Sequence, residues 1–268
     1  MYCGRIGFIG VGNMGGVLAR AACRSVGAEY ISVSSRTPES ARAFAERNGV
    51  KASSNKEIAE DADMIFIGVK PNQISGVLDE IAPVLGARID RVLLVSMAAG
   101  VSAGKISALA GGRPVIRIMP NTPCRIGSGL ITYCTSGDVT AEEKKNLESV
   151  LACAGSLCEL PEPLIDPACA LAGCGPAFVY IFIESLADAA VSAGLPREKA
   201  LEFAARTVSG AAETVLQTGL HPGILKDEVC SPGGSTIAGV KALEDGGFRA
   251  AAENAVLAAY RRTLELGK

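Results

Sequence analysis

The most closely spaced chemistry in the chain is Gly10-Val11-Gly12-Asn13-Met14-Gly15, which follows the apolar run RIGFI and precedes an alanine-rich segment. Glycines in a G-x-G-x-x-G pattern between a strand and a helix serve three needs: a tight turn, close backbone approach to a pyrophosphate, and tight helix-to-strand packing. The first turn of such a helix also offers unpaired N–H groups and the positive end of its dipole to the phosphates. A bound dinucleotide is the chemistry this spacing suits.

Ser34-Ser35-Arg36, at the end of the next apolar run, bears on which dinucleotide. NAD-type sites place an acidic side chain there, on the ribose 2′-hydroxyl. Here two hydroxyls and a guanidinium stand instead, a set that suits a 2′-phosphate and favours NADPH, with NADH also usable. Gly68-Val69-Lys70-Pro71 and Ser96-Met97-Ala98-Ala99-Gly100 follow two further apolar runs. Both fall where open α/β sheets bind ligands, beyond the carboxyl ends of strands. Ala98, Ala99 and Gly100 are small enough to let backbone approach a flat ring. Lys70 fits three roles equally by spacing: a proton donor, a phosphate or carboxylate partner, or a surface residue.

A third candidate lies near the other end, at Ser231-Pro-Gly-Gly-Ser-Thr236, just before the helical pattern Ile237–Glu244. Gly233, Gly234, Ser235 and Thr236 then sit at a helix N-terminus, an anion site suited to a small substrate's carboxylate. Serine and threonine at that place are also ordinary helix caps.

Elements able to position these residues are legible in the hydrophobic pattern. Strands are predicted at Arg5–Ile9, Glu29–Ser34, Met64–Val69, Arg91–Ser96, Pro114–Met119 and Leu130–Cys134, with helices at Pro38–Arg47, Ser75–Leu85 and Thr140–Ala152 between them. Runs such as MIFIGV and RVLLVS are apolar at every position, as strands covered on both faces are. The alternation predicts a mostly parallel, doubly wound α/β sheet of Rossmann type. After Pro161 and Pro163 strand signals stop, and helices are predicted at Asp166–Ala193, Arg197–Thr218, Gly234–Glu244 and Ala250–Glu265. The chain thus divides into a dinucleotide-binding domain, 1–162, and an all-helical domain, 163–268. Ala168–Ile183 carries no charge over sixteen residues. That is too short for a membrane span and predicts burial in a core or a subunit interface.

Composition narrows the function classes. Of 268 residues, 49% are hydrophobic and 20% charged, with a net charge of −2, which disfavours a nucleic-acid binder or a polybasic membrane anchor. His221 is the single histidine, so multi-histidine metal sites are excluded and no metal is expected. A loop histidine before proline reads as structural. The nine cysteines are odd in number and contain no C-x-x-C pair, and no signal peptide precedes them. They read as reduced thiols of a cytoplasmic protein, with Cys174 and Cys230 as packing residues.

Taken together, the segments IGFIGVGNMG, SSRTP, GVKPNQ, SMAAGV, RIMPNTP and LAGCGPAFVY, and above all LKDEVCSPGGSTIAGVKALEDGGFRAA from Leu225 to Ala251, resemble the pyrroline-5-carboxylate reductases. The resemblance runs through nearly the whole chain. It implies NAD(P)H-dependent reduction of the cyclic imine 1-pyrroline-5-carboxylate to L-proline, the last step of proline biosynthesis. It implies that Gly10, Val11, Gly12, Asn13 and Met14 cover the pyrophosphate, and that Ser34, Ser35 and Arg36 face the 2′-phosphate. Asn55 matches a position near the adenosine end, and Val69, Lys70, Pro71, Ala98 and Ala99 line the dinucleotide groove. The resemblance further implies that Gly234, Ser235 and Thr236 hold the substrate, with Thr236 hydrogen-bonded to the ring nitrogen. It also implies that the helical domain mediates a homodimer, dimers in this family often assembling further to decamers.

Two departures stand out. Ala172 and Cys174 replace hydroxyl residues common in the family, and Glu228 stands where a carboxamide is common, a carboxylate being unfavourable beside phosphate. Two rival readings fit less well. β-Hydroxyacid dehydrogenases place a catalytic lysine in the long helix after the linker, and no lysine lies between Leu164 and Arg197. A non-catalytic NADP(H) sensor has no need of SPGGST. Other cyclic imines remain open as substrates.

Overall fold

The computed structural model describes residues 4–266, and Cys3 lies outside them. Eight strands form one sheet: β1 (Ile6–Ile9), β2 (Ile31–Ser34), β3 (Lys51–Ala52), β4 (Met64–Ile67), β5 (Leu93–Ser96), β6 (Val115–Met119), β7 (Gly129–Thr135) and β8 (Gly155–Glu159). Their order is β3-β2-β1-β4-β5-β6-β7-β8, parallel throughout except where β7 runs against β6. This is the doubly wound sheet that the alternating pattern predicts.

The reason for the fully apolar runs is visible along β4. Met64 and Phe66 enter one core layer with Phe8, Leu18 and Leu147, while Ile65 and Ile67 enter the other with Ile58, Leu78 and Ile106. Both faces are covered, so no position on the strand is free to be polar. Phe8 stacks on Phe66 with ring centroids 4.4 Å apart.

Helices α1 (Asn13–Val26), α2 (Pro38–Asn48), α3 (Asn55–Asp61), α4 (Ile74–Ala87), α5 (Ala103–Leu109) and α6 (Ala141–Leu151) connect the strands. Several details differ from the pattern-based reading. Strand β2 starts at Ile31 because Ala28–Tyr30 form a 3-10 turn. Strands β3 and β8 were not predicted, since both sit at sheet edges, where a short or half-exposed strand needs no apolar run. Helix α3 is also new, although Ser54 and Glu57 form the S-x-x-E capping box that announces it.

Residues up to Cys174, together with those from Ala259 on, form one compact unit, and Gly175–Ala258 a second. The first unit also contains α7 (Ile165–Ala168); the second contains α8 (Gly175–Ser192), α9 (Arg197–Thr218), α10 (Pro222–Val229) and α11 (Ser235–Asp245), and α12 (Phe248–Leu266) starts in the second and ends in the first. The single helix predicted over Asp166–Ala193 is interrupted by a π turn, Cys169–Gly173, in which Cys174 N–H reaches back to Cys169 O. Pro176 lacks an N–H and Gly173 and Gly175 are poor helix formers, which disfavours an uninterrupted α-helix through this stretch. Gly219–His221 form a loop between helices, as predicted, but it ends sooner than expected, at the unpredicted α10, which His221 Nδ1 caps by accepting from Gly223 N–H at 3.0 Å.

The uncharged stretch is not a core helix. Leu171, Val179, Tyr180 and Ile181 are all exposed. The helical run that contains it, Glu162–Ser192, is long and apolar enough by composition to cross a membrane, longer than the sixteen uncharged residues alone indicate.

The eight described cysteines are free thiols. Burial pushes the Cys124 thiol above its ordinary range, and burial together with the Glu162 charge lifts Cys134 to about 11. Iodoacetamide at pH 8 is expected to label the exposed Cys158 well before Cys124 and Cys134 in the folded protein. Peptide mass spectrometry over a time course reads this order, and equal labelling rates would contradict the burial argument.

Candidate functional site

At the carboxyl edge of the sheet, β1, β2 and β4 release the chain within reach of one another. Gly10 takes φ +94°, a left-handed conformation, and its N–H donates to Ser34 O at 3.0 Å. A Cβ on Gly15 would stand 2.0 Å from Gly10 O, so only glycine lets α1 begin this close to β1. Gly12 is different: a Cβ there would meet nothing within 4 Å. It is the N-cap of α1 and supplies no side-chain cap. The first N–H groups of α1 are thus left to an external acceptor, beside open space of the kind a pyrophosphate needs.

Next to this turn lies a cleft of about 580 Å³. It gathers six of the positions singled out in the sequence: Gly10, Ser34, Ser35, Arg36, Asn55 and Val69. It also includes Arg42, Glu57, Gln73 and Glu80, which sequence reasoning missed because they lie on helices and turns across from the motif. The S-x-x-E capping signal was the one available pointer to Glu57.

The charges in the cleft are unevenly committed. Glu57 accepts from Ser54 N–H at 2.7 Å and Ser54 Oγ at 2.8 Å, bonds that hold its carboxyl below the usual range. Glu80 Oε2 accepts from Asn55 Nδ2 at 2.7 Å, and Asn55 Oδ1 accepts from Ser34 Oγ at 2.6 Å. Arg36 and Arg42 are exposed and have no ion-pair or hydrogen-bond partner among the described residues. Both carboxylates are occupied within the protein, while both guanidiniums remain for a ligand. Ser53 Oγ, in the same wall, is buried without a partner. Open backbone donors, available cations and an orphaned hydroxyl fit a phosphate-bearing dinucleotide.

The remaining groove positions are dispersed. Val11 and Met14 pack partly against the first core layer, and Asn13 opens α1 in an exposed position. Lys70 and Pro71 are exposed at a 3-10 turn. Ala98 is fully buried in the second core layer and Ala99 is exposed, so only the latter presents its side chain.

In the second unit, the cap of α11 is Gly234, with Ser235 and Thr236 as its first two residues. Neither hydroxyl caps the helix. Ser235 is exposed and Thr236 half-buried, and neither side chain has a hydrogen-bond partner among the described residues. Of the two readings that the motif leaves open, capping is therefore not what these hydroxyls do. Lys226 is paired with Asp227, whose hydrogen bond raises its pKa. Among the described residues there is no group of three or more His, Cys, Asp or Glu placed to hold a metal.

A family model described as pyrroline-5-carboxylate reductase dimerisation matches residues 162–266, and one described as NADP oxidoreductase, coenzyme F420-dependent, matches residues 5–100. The pyrroline-5-carboxylate reductase of Escherichia coli (strain K12) is 41% identical over 268 residues, covering 98% of each chain. The chain belongs to the pyrroline-5-carboxylate reductase family. The reductase of Glycine max is 40% identical over 97% of this chain and 95% of its own. The solved structure of the Plasmodium falciparum reductase, with NADP bound, superposes with a TM-score of 0.88 at 33% identity and full coverage of both chains. As a member of the reductase family, the chain is an oxidoreductase that uses a nicotinamide cofactor, and its family-defining helical segment is a dimerisation region.

The glycines should separate by substitution. Gly12→Ala is expected to leave the thermal unfolding midpoint nearly unchanged while weakening dinucleotide binding at least about tenfold, because the new methyl fills space only a ligand needs. Gly15→Ala should instead lower the midpoint itself. Calorimetry with and without dinucleotide reads both effects, and undiminished binding by Gly12→Ala would remove that space from the site.

Proposed function

We propose that this chain reduces 1-pyrroline-5-carboxylate to L-proline in the cytoplasm, with NADPH preferred and NADH usable. In this reading residues 1–162 hold the dinucleotide, and residues 163–268 bind substrate and form a homodimer, with dimers assembling further to a decamer. The exposed Leu171, Val179, Tyr180 and Ile181 support a subunit contact, rather than a membrane, as the cover of the apolar helical run.

The observation that carries the reading is the state of the α11 N-terminus. Its cap is a glycine and its two hydroxyls are uncommitted, so backbone N–H groups are available to a carboxylate and Thr236 Oγ1 to a ring nitrogen. When bound, the reduced nicotinamide supplies a hydride. The imine carbon gains that hydride, the C=N π pair passes to nitrogen, and nitrogen carries a proton in the product. A protonated iminium is already electrophilic, so the protein needs no strong acid. Thr236 orients and polarises the C=N group, the α11 N-terminus fixes the carboxylate, and water is the final proton source. Such chemistry runs without histidine: His221 is occupied in capping α10.

The direct test follows NADPH oxidation at 340 nm on addition of racemic pyrroline-5-carboxylate. Protein that binds NADPH without substrate-dependent oxidation would refute the enzyme reading. In the same assay Thr236→Ala is expected to lower kcat by about 10–1000-fold, the scale of losing one oriented donor, and an unchanged kcat would release Thr236 from its role. Arg36→Ala is expected to raise KM for NADPH by about 10–100-fold, the worth of a charge-assisted bond, with little effect on KM for NADH. Equal effects on the two cofactors would place the 2′-phosphate elsewhere.

A further inference from the structure

The carboxylate that NAD-type sites carry at the end of the second strand is absent from β2, yet the cleft holds one on a different element. Glu80 projects from α4 into the cleft and is hydrogen-bonded to Asn55, the first residue of α3. Asn55 is held in place by its surroundings, since Ser54 and Glu57 close the capping box on either side of it. A carboxylate oxygen only accepts hydrogen bonds. The Asn55 amide must therefore turn its NH₂ toward Glu80 and its carbonyl toward Ser34. Ser34 then has to donate, and its single O–H is spent on Asn55 Oδ1 at 2.6 Å.

This polarity has a consequence for the ligand. Ser34 is only 2% exposed in the cleft wall, and with its proton committed a ligand that reaches its Oγ meets only lone pairs. The second N–H of Asn55 and the second oxygen of Glu80 add one donor and one further acceptor. A phosphate oxygen, itself an acceptor, gains nothing from Ser34 or Glu80. A ribose hydroxyl, which both donates and accepts, satisfies them. The phosphate-seeking groups are other side chains, Arg36 two residues beyond Ser34 at the β2 exit and Arg42 on α2.

We infer that Glu80 is a positioning residue for cofactor choice: acting through Asn55, it makes Ser34 an acceptor and so supports the unphosphorylated ribose of NADH. The inference rests on the reading of this cleft as the nicotinamide dinucleotide site. It makes dual cofactor use a property of two separate groups of residues, one reading hydroxyl and the other phosphate. Removing Glu80 frees the Asn55 amide to turn over and returns the Ser34 proton to the ligand, which suits NADPH and not NADH.

Dissociation constants of NADH and NADPH, measured by nicotinamide fluorescence on the full chain, test this. Glu80→Ala is expected to raise the NADH-to-NADPH ratio of dissociation constants about five- to tenfold, the scale of one neutral hydrogen bond. Glu80→Gln keeps an acceptor oxygen toward Asn55 and is expected to hold the ratio within about threefold of the wild-type value. Glu80 is exposed, so neither change threatens the core. A merely structural role would weaken both dinucleotides together and would leave the ratio unmoved, which overturns the inference. So does a Glu80→Gln ratio as altered as that of Glu80→Ala. A wild-type chain that binds neither dinucleotide overturns the reading of the cleft and this inference with it, whereas wild-type binding with an unmoved ratio overturns the role of Glu80 alone.

Discussion

One carbonyl oxygen sets the geometry at the carboxyl edge of the sheet, beside the cleft. Gly10 O lies where a Cβ on Gly15 would be 2.0 Å away and a Cβ on Gly68 2.6 Å away. Helix α1 and the exit of β4 close on that oxygen from two sides, and neither approach survives a side chain. Because both are so near, the helix begins directly at the strand end and its unpaired N–H groups face the open edge of the sheet. The cleft beside the turn, the position of Val69 in its wall and the spare volume at Gly12 all follow from this contact.

Around it, polar groups are assigned with little redundancy. The two cleft carboxylates are hydrogen-bonded to Ser54 and Asn55 and keep their charge, whereas the two guanidiniums have no side-chain partner among the described residues and are the groups left to meet an anion. Deeper in the first unit, Arg117 is 3% exposed on β6 and is neutralised by Asp166 at 2.7 Å, with Glu162 at 3.8 Å. Glu162 also accepts the N–H of Ala103 at the start of α5. A guanidinium buried to that degree demands its partners, since an unpaired charge in a core is costly.

What the sequence disclosed tracks how local the cause was. The central strands were legible because burial on both faces forces apolar residues at every position, as in Met64–Ile67. The glycine turn was legible because its steric demands are met by one residue type. Strands β3 and β8 were not, because an edge strand is held by backbone pairing that carries no side-chain signature. The π turn at Cys169–Gly173 and the start of α10 at Pro222 depend on how the chain is accommodated around Gly173 and His221, beyond the reach of a periodicity argument. At the candidate site, residue types identified Ser235 and Thr236 but left their use ambiguous. Only the assignment of the cap to Gly234 distinguished an uncommitted hydroxyl from a structural one. Glu80 was invisible for a related reason: its role comes from a contact between α3 and α4, twenty-five positions from its partner.

The reversal of direction at β7 has a topological cost. Strands β1 to β6 end at the edge where the glycine turn opens, but β7 and β8 run the other way, so the chain leaves the sheet at Glu159 on the opposite edge. The segment that follows must recross the height of the sheet. It does so tethered at two levels, by Arg117 to Asp166 within β6 and by Asn121 Nδ2 to Ala172 O just beyond it, at 3.1 Å. The stretch after the proline pair is therefore a return stroke that packs with the first compact unit as far as Cys174. Had β7 been parallel to β6, no such strap would be required, and Arg117 would have no reason to be an arginine.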